Sequence, residues 1–565
     1  MRKWFECDTE PGFFKPPEVA NGEVKPPNGD ETEKLPAIPG VCAGDEPPPV
    51  VMFDTTIMRL QEISGSSYGL KNEGGITTLS NSGTITGGGV GGTPPGSGIY
   101  NLASIGDLTN ESGGVIHGGW SGIYNNADGQ IITLTNSGTI SGSSIGITNY
   151  GGIATLINNG TISGDAYYDG IWNVQSGVIG DLTNNATGII SGVTAGIYND
   201  GQIGTLTNRG TISGGTSATA GRGIDNIGTI SGLTNSGTIG GAYSEYGIRN
   251  RDGGSINSLA NSADGTISGT VYGLRNEGTL GALMNAGTII GTNLNTSTGL
   301  SNISQIDTLT NSGTITGRNV GVSNDGMIGT LTNSGTLSAT DYVGLFNHSG
   351  GTITTLNNSG EITAAYTGIV NSGIIGTVIN TGTIDSLHYA DGIWNQGQGY
   401  IGLLDNRSGG TISGITAAIY NDGRIDQLSN SGTIHTTDYS SIFNTGDGSI
   451  ATLANNAGGS ITGNSAAIWN SGAIITLTNS GTIHGGTYGI YNEGIIGSLT
   501  NAGTINTVTN VSSIGGLAAN AGLSNLTGGT INTLSNALGA TIVGAHTGVY
   551  NHGTIDALAN SGLIS

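Results

Sequence analysis

Acid–base and metal chemistry need carboxylates, imidazoles or thiols gathered at short spacing. The best such grouping is Asp165-Ala166-Tyr167-Tyr168-Asp169, just before Trp172. It is echoed by Asp385 and His388-Tyr389-Ala390-Asp391, just before Trp394. Carboxylates beside an aromatic platform suit a sugar, so each cluster is a candidate carbohydrate site; the plainer reading is an expanded polar loop. Asp200, Asp325, Asp422, Glu73, Glu277 and Glu493 follow a recurrent Asn and read as solvated turn residues. The 7 histidines never pair at ligand spacing, and Cys7 and Cys42 form no Cys-x-x-Cys motif. Gly-x-Ser-x-Gly, Walker and His-Glu-x-x-His motifs are absent, and Gly87-Gly88-Gly89 opens no helix that could cradle a phosphate. No catalytic residue, metal or cofactor is expected.

A sharper pattern is aromatic. Gly-Ile-x-Asn, or a close variant, recurs twenty times, and x is aromatic in eleven copies: Tyr100, Tyr124, Trp172, Tyr198, Phe346, Trp394, Tyr420, Phe443, Trp469, Tyr491 and Tyr550. With Ile buried, x faces outward, which predicts an exposed aromatic stripe. Trp172, Trp394, Tyr420, Phe443, Trp469 and Tyr491 are the candidate ligand-binding residues, for glycan or protein partners. The competing reading is that stacked rings shield the sheet. Thr-Ile-Ser and Thr-Ile-Thr also recur, and flat threonine arrays resemble ice-binding solenoids, but His117, Asp385, His435, His484 and Asn506 interrupt them.

Composition narrows the frame that holds these residues. Glycine accounts for 106 of 565 residues, charged residues for 9%, and the net charge is −23. With 15 Lys and Arg, no basic patch can neutralise phosphates, so nucleic-acid partners are excluded. Glycine has no three-residue period, so collagen is excluded. Residues 1–50 hold ten of the 12 prolines and read as an extended acidic leader or linker. Residues 51–68 read as an N-terminal cap, with room for a short helix, and 69–565 as repeats. No run of 18 apolar residues is present to span a bilayer as a helix.

The repeats alternate Leu-x-Asn, usually followed by Ser-Gly-Thr-Ile, with Gly-Ile-x-Asn. Twenty copies of each place one Asn series from 81 to 560 and the other from 72 to 551. The period is about 25 residues, with one longer step of 35 from Asn501 to Asn536. Each repeat holds three short strand patterns, as in Ile203–Asn208, Gly210–Gly214 and Gly196–Asn199. Strands this short persist when every coil stacks on the next. The predicted fold is all-β: a single right-handed parallel β-helix of about 20 coils of about 25 residues, three strands per coil. Ile and Leu form inner columns, the two Asn series form ladders along the axis, and corner glycines adopt left-handed backbone.

The pattern LTNSGTISG…GIYNxGxIGTLTN resembles the β-helical passenger regions of bacterial autotransporters and related surface adhesins, across about residues 69–565. The resemblance implies export, display at the cell surface, and adhesion to host or bacterial surface glycans or proteins, or self-association. It brings no cofactor. The sequence shows neither the apolar core of a signal peptide before the leader nor a translocator barrel after Ser565, so the expectation is a secreted or surface passenger whose export signal and anchor are not visible in it.

Overall fold

The computed structural model describes residues 62–89, 96–217, 219–293, 295–516 and 519–565. The Pro-rich segment, Cys7 and Cys42, and residues 51–61 of the expected cap lie outside these. The remainder of that cap is already solenoid: Glu62–Gly65 is a strand paired in parallel with Thr84–Gly87, and Tyr68 begins the strand Tyr68–Asn72. Every regular element among the described residues is a strand. They build a parallel β-helix of about 21 turns, which at the usual strand spacing is about 100 Å long.

One coil shows why these residues fold so. Gln202–Asn208, Thr211–Gly214 and Gly221–Asn226 are its strands. Ile203, Leu206, Ile212 and Ile224 turn inward and are at most 1% exposed. Each sits in register between like residues: Ile203 lies between Ile179 and Ile230, and Leu206 between Leu182 and Leu233. Four aliphatic columns therefore form the core. Burying each Ile or Leu contributes about 2 kcal/mol, which lets strands of four to seven residues persist.

The coil consists of two half-turns on one plan. From Asn199 to Asn208 the order is Asn, Gly, Ile, Leu, Asn, and the strand bends at Gly204, which the parallel register skips. From Asn208 to Asn226 the order is again Asn, Gly, Ile, Ile, Asn. Here a loop replaces the bend. Where the two arms of this second half meet, glycine is required by space: a Cβ on Gly122 would lie 2.8 Å from the Ile140 methyl and 2.7 Å from the Gly146 carbonyl oxygen.

Both Asn series form ladders. Asn311 is representative: its Nδ2 donates to Asn333 Oδ1 at 2.8 Å, to Gly313 O at 3.1 Å and to Thr336 O at 3.1 Å, while its Oδ1 accepts from Asn285 at 2.7 Å. Corner carbonyls that would be buried without donors are satisfied in this way. The corner glycines divide into two kinds. In the longer Asn-x-x-Gly-Gly corners, Gly113, Gly253, Gly409, Gly458 and Gly528 are left-handed, with φ between 82° and 87°. In the tight Asn-x-Gly corners glycine is not left-handed, contrary to expectation. It makes room for the coil beneath: a Cβ on Gly138 would stand 2.1 Å from Gly114 O.

The ladders also depart from the sequence expectation at the long step. Asn492 bonds Asn510, which belongs to neither expected series as counted, and Asn510 bonds Asn536. Asn501 bonds Asn525. The two series therefore exchange columns. The cause is Thr504–Asn510, an uninterrupted half-turn where a looped one is due. Its first residues pair with Thr482–Gly485 and its last with Tyr488–Asn492. Asn506 fills the missing loop, accepting from Gly485 N and donating to Gly485 O.

Candidate functional site

The residue x of Gly-Ile-x-Asn stacks coil upon coil because its strand is in register. Trp394, Tyr420, Phe443, Trp469 and Tyr491 are consecutive partners. Their ring centroids are 6.1, 5.2, 5.9 and 4.9 Å apart, all edge-to-face. The stripe faces outward but is half-buried, since each ring covers part of the next. Two indoles are hydrogen-bonded: Trp394 Nε1 donates to Asp422 Oδ2 at 3.2 Å, and Trp469 Nε1 to Glu493 Oε2 at 3.0 Å. Each carboxylate follows the ladder Asn of the next coil. These acids hold the rings rather than being left to water.

Trp172 stands in a second column, Tyr68, Tyr100, Tyr124, Tyr150, Trp172 and Tyr198, with centroids 4.7 to 6.5 Å apart. Tyr150 was not foreseen; it follows Asn149, and its ring bridges the coil where Thr148 occupies x. Burial pushes the Tyr124 hydroxyl up, and neighbouring Tyr150 adds to this. The Trp172 Nε1 is buried with no hydrogen-bond partner among the described residues. Tyr550 leaves the stripe, since after the ladder exchange it pairs with Ser524 on the other column.

Between the two ring columns the x position turns ionic. Asp225 is 1% exposed and accepts from Arg251 Nε at 2.7 Å, with Arg222 at 3.6 Å. Glu277 joins Arg249 and Arg275. Burial draws the Glu277 carboxyl up, but the hydrogen bonds from Arg249 and Arg275 outweigh it and hold the group below its ordinary value. Arginine faces lie over Tyr198, Tyr246 and Tyr272 at 5.0 to 5.7 Å.

The two acidic clusters are split by the fold. Asp169 and Asp391 are each 6% exposed and turned inward. Asp169 accepts from the Thr194 hydroxyl, and Asp391 from Ala417 N at 3.0 Å. Burial, partly offset by those bonds, raises Asp169 to about 6 and Asp391 to about 7. Asp165 accepts from Ser163 at 2.7 Å, and Asp385 from Ser413 at 2.6 Å. The carboxylates of each cluster thus bond into the frame separately. Among the described residues, no group of three or more His, Cys, Asp or Glu is placed to hold a metal ion.

No protein-family model matches the chain, and no curated protein sequence matches it.

The most exposed rings are elsewhere, on the loops of the second half-turn. Tyr342, Tyr366 and Tyr439 each stand immediately before the strand that carries Gly-Ile-x-Asn or its variant, Tyr389 stands one residue earlier, and Tyr168 stands two residues earlier. All are exposed. The pattern Tyr-x-Gly was the available signal at Tyr168, Tyr342 and Tyr366, but Tyr389 and Tyr439 do not carry it.

Proposed function

We infer that this chain is a non-catalytic shaft displayed outside the cell, like an autotransporter passenger, and that it works in adhesion or self-association. The observation that carries this reading is repetition on a rigid frame: about 21 stacked parallel turns hold the same outward positions in register, coil after coil. Weak contacts so arranged act together, and avidity replaces a single deep site. The partners are surface glycans, surface proteins or a second copy. The charge of −23 opposes nucleic acid. The test is display and attachment: protease applied to intact cells that make the protein should remove it, and deleting its gene should reduce surface attachment or cell–cell aggregation. Protein recovered inside the cell and untouched by protease would overturn the reading.

A carbohydrate-binding or polysaccharide-degrading β-helix is the second reading. It is favoured by Tyr389, 68% exposed between Asp385 and Asp391. Release of reducing ends or unsaturated products from a panel of polysaccharides would select it.

A further inference from the structure

Loop tyrosines crowd the stretch from residue 340 to 440. Tyr342, Tyr366, Tyr389 and Tyr439 are 41%, 38%, 68% and 62% exposed, whereas the stripe is half-buried. They follow the axis because the backbones around them are stacked: Thr367 N donates to Tyr342 O at 3.0 Å, and Ser465 N to Tyr439 O at 2.9 Å. The rings of Tyr342 and Tyr366, on successive coils, are stacked 5.5 Å apart. Beside the four tyrosines stand the small or polar loop residues Thr340, Ala365, Thr416 and Thr437, with Leu387 an exposed apolar exception. Four rings over five successive coils, with Thr416 in the coil between Tyr389 and Tyr439, make a narrow row that lacks the broad apolar centre a protein interface needs. They fit a linear polymer whose units have both an apolar face and hydroxyls.

Charge narrows the polymer. The segments 339–342, 364–367, 386–391 and 436–440 carry no Lys or Arg; Asp341 and Asp438 are exposed there, whereas Asp391 is buried. Arg318, reaching in from the preceding coil, is paired with Asp341 at 2.5 Å. An acidic polymer would be repelled. The row ends at Tyr439: in the next two coils Ser465 and Thr487 take its place, immediately before Ala466–Asn470 and Tyr488–Asn492.

We propose that the tyrosine file Tyr342, Tyr366, Tyr389 and Tyr439 binds a neutral linear glycan lying along the shaft axis. This rests on the reading of the chain as a binding shaft and names its ligand class. The exposed rings offer the sugars apolar contact, while Thr416, Thr437 and Asp438 border the hydroxyls.

The test uses the full chain and isothermal titration calorimetry. Neutral hexaoses of β-linked glucose, N-acetylglucosamine and mannose are compared with a hexagalacturonate. At least one neutral hexaose should bind and the acidic one should not. The combined variant Tyr342→Ser, Tyr366→Ser, Tyr389→Ser and Tyr439→Ser should lose about tenfold or more in affinity, with circular dichroism and melting unchanged. A single Tyr439→Phe, which keeps the ring, should bind as the parent does. Binding retained by the combined variant, stronger binding of the acidic hexaose, or no binding of any neutral hexaose overturns the proposal. So does a variant that loses self-association while its sugar binding stays intact, since the file would then dock a second copy. Protein that is displayed and adhesive but blind to these sugars removes this proposal alone. Protein that binds them yet stays inside the cell removes the display reading alone.

Discussion

Asn492 donates its side-chain amide to Asn510 at 2.9 Å although only 18 residues separate them. A whole coil is completed in that interval, against 22 to 29 residues for a ladder step elsewhere in the shaft, as from Asn479 to Asn501 or from Asn72 to Asn101. Two nine-residue half-turns, Asn492 to Asn501 and Asn501 to Asn510, suffice because each supplies its own Asn corner and two inward aliphatics, Ile496 with Leu499 and Ile505 with Val508. Loops are additions to this minimum.

Deleting residues 502–510 should therefore leave a folded shaft. Asn492 would meet Asn525 and Asn501 would meet Asn536, restoring unexchanged ladders. Circular dichroism and melting temperature should stay close to the parent's. Deleting five residues from the same stretch would break the register and expose the stack. If both deletions prove equally damaging, the half-turns are not interchangeable.

Asn311→Asp tests the ladder. The carboxylate loses all three donations of Asn311 and faces the oxygens of Asn333, Gly313 and Thr336. A cost of about 3 kcal/mol or more is expected, from stranded acceptors and a buried charge. Because a solenoid coil contacts mainly its neighbours, the damage should be local. Amide hydrogen exchange should quicken over the coils from Asn285 to Asn333 and fall back to the parent rate several coils away. Unchanged exchange there would mean the ladder adds little.

The aromatic stripe should matter to stability in its own right. Serine at Trp394, Tyr420, Phe443, Trp469 and Tyr491 removes four edge-to-face pairs, each contributing about 0.5–1.5 kcal/mol beyond burial. The denaturation midpoint should drop clearly, whatever happens to binding. A stable variant that loses attachment would make the stripe a ligand platform instead.

Asp391 gives a pH dependence of known sign. Its carboxyl is raised from 3.8 to about 7 in the fold, chiefly by burial. The folded state thus holds the proton more tightly than the unfolded chain. That contribution to stability is complete below about pH 4 and is lost as pH rises through about 7. Asp391→Asn still accepts from Ala417 N and never ionises. It should stabilise the protein at pH 8 by on the order of 4 kcal/mol and leave it nearly unchanged at pH 4. Equal denaturation midpoints for parent and variant at pH 8 would show that the carboxyl is not strained there.

The stacking of coils, the inward Ile and Leu columns and the two Asn ladders were legible in the sequence, because a period that returns the same residue to the same corner leaves one economical geometry. Asn510 escaped that reading, since its half-turn Thr504–Asn510 carries an ordinary Leu-x-Asn-like signature and lies on the other column only by virtue of what it pairs with. The aromatic residues at x were legible as outward, but their degree of burial was not. Edge-to-face packing and the indole bonds to Asp422 and Glu493 depend on side chains 24 to 28 residues away. Likewise Asp385 and Asp391 are neighbours in sequence, yet one bonds the Ser413 hydroxyl and the other the Ala417 amide. Local sequence sets which residues share a coil. Which neighbour covers, bonds or exposes each of them is decided between coils, by register along the axis.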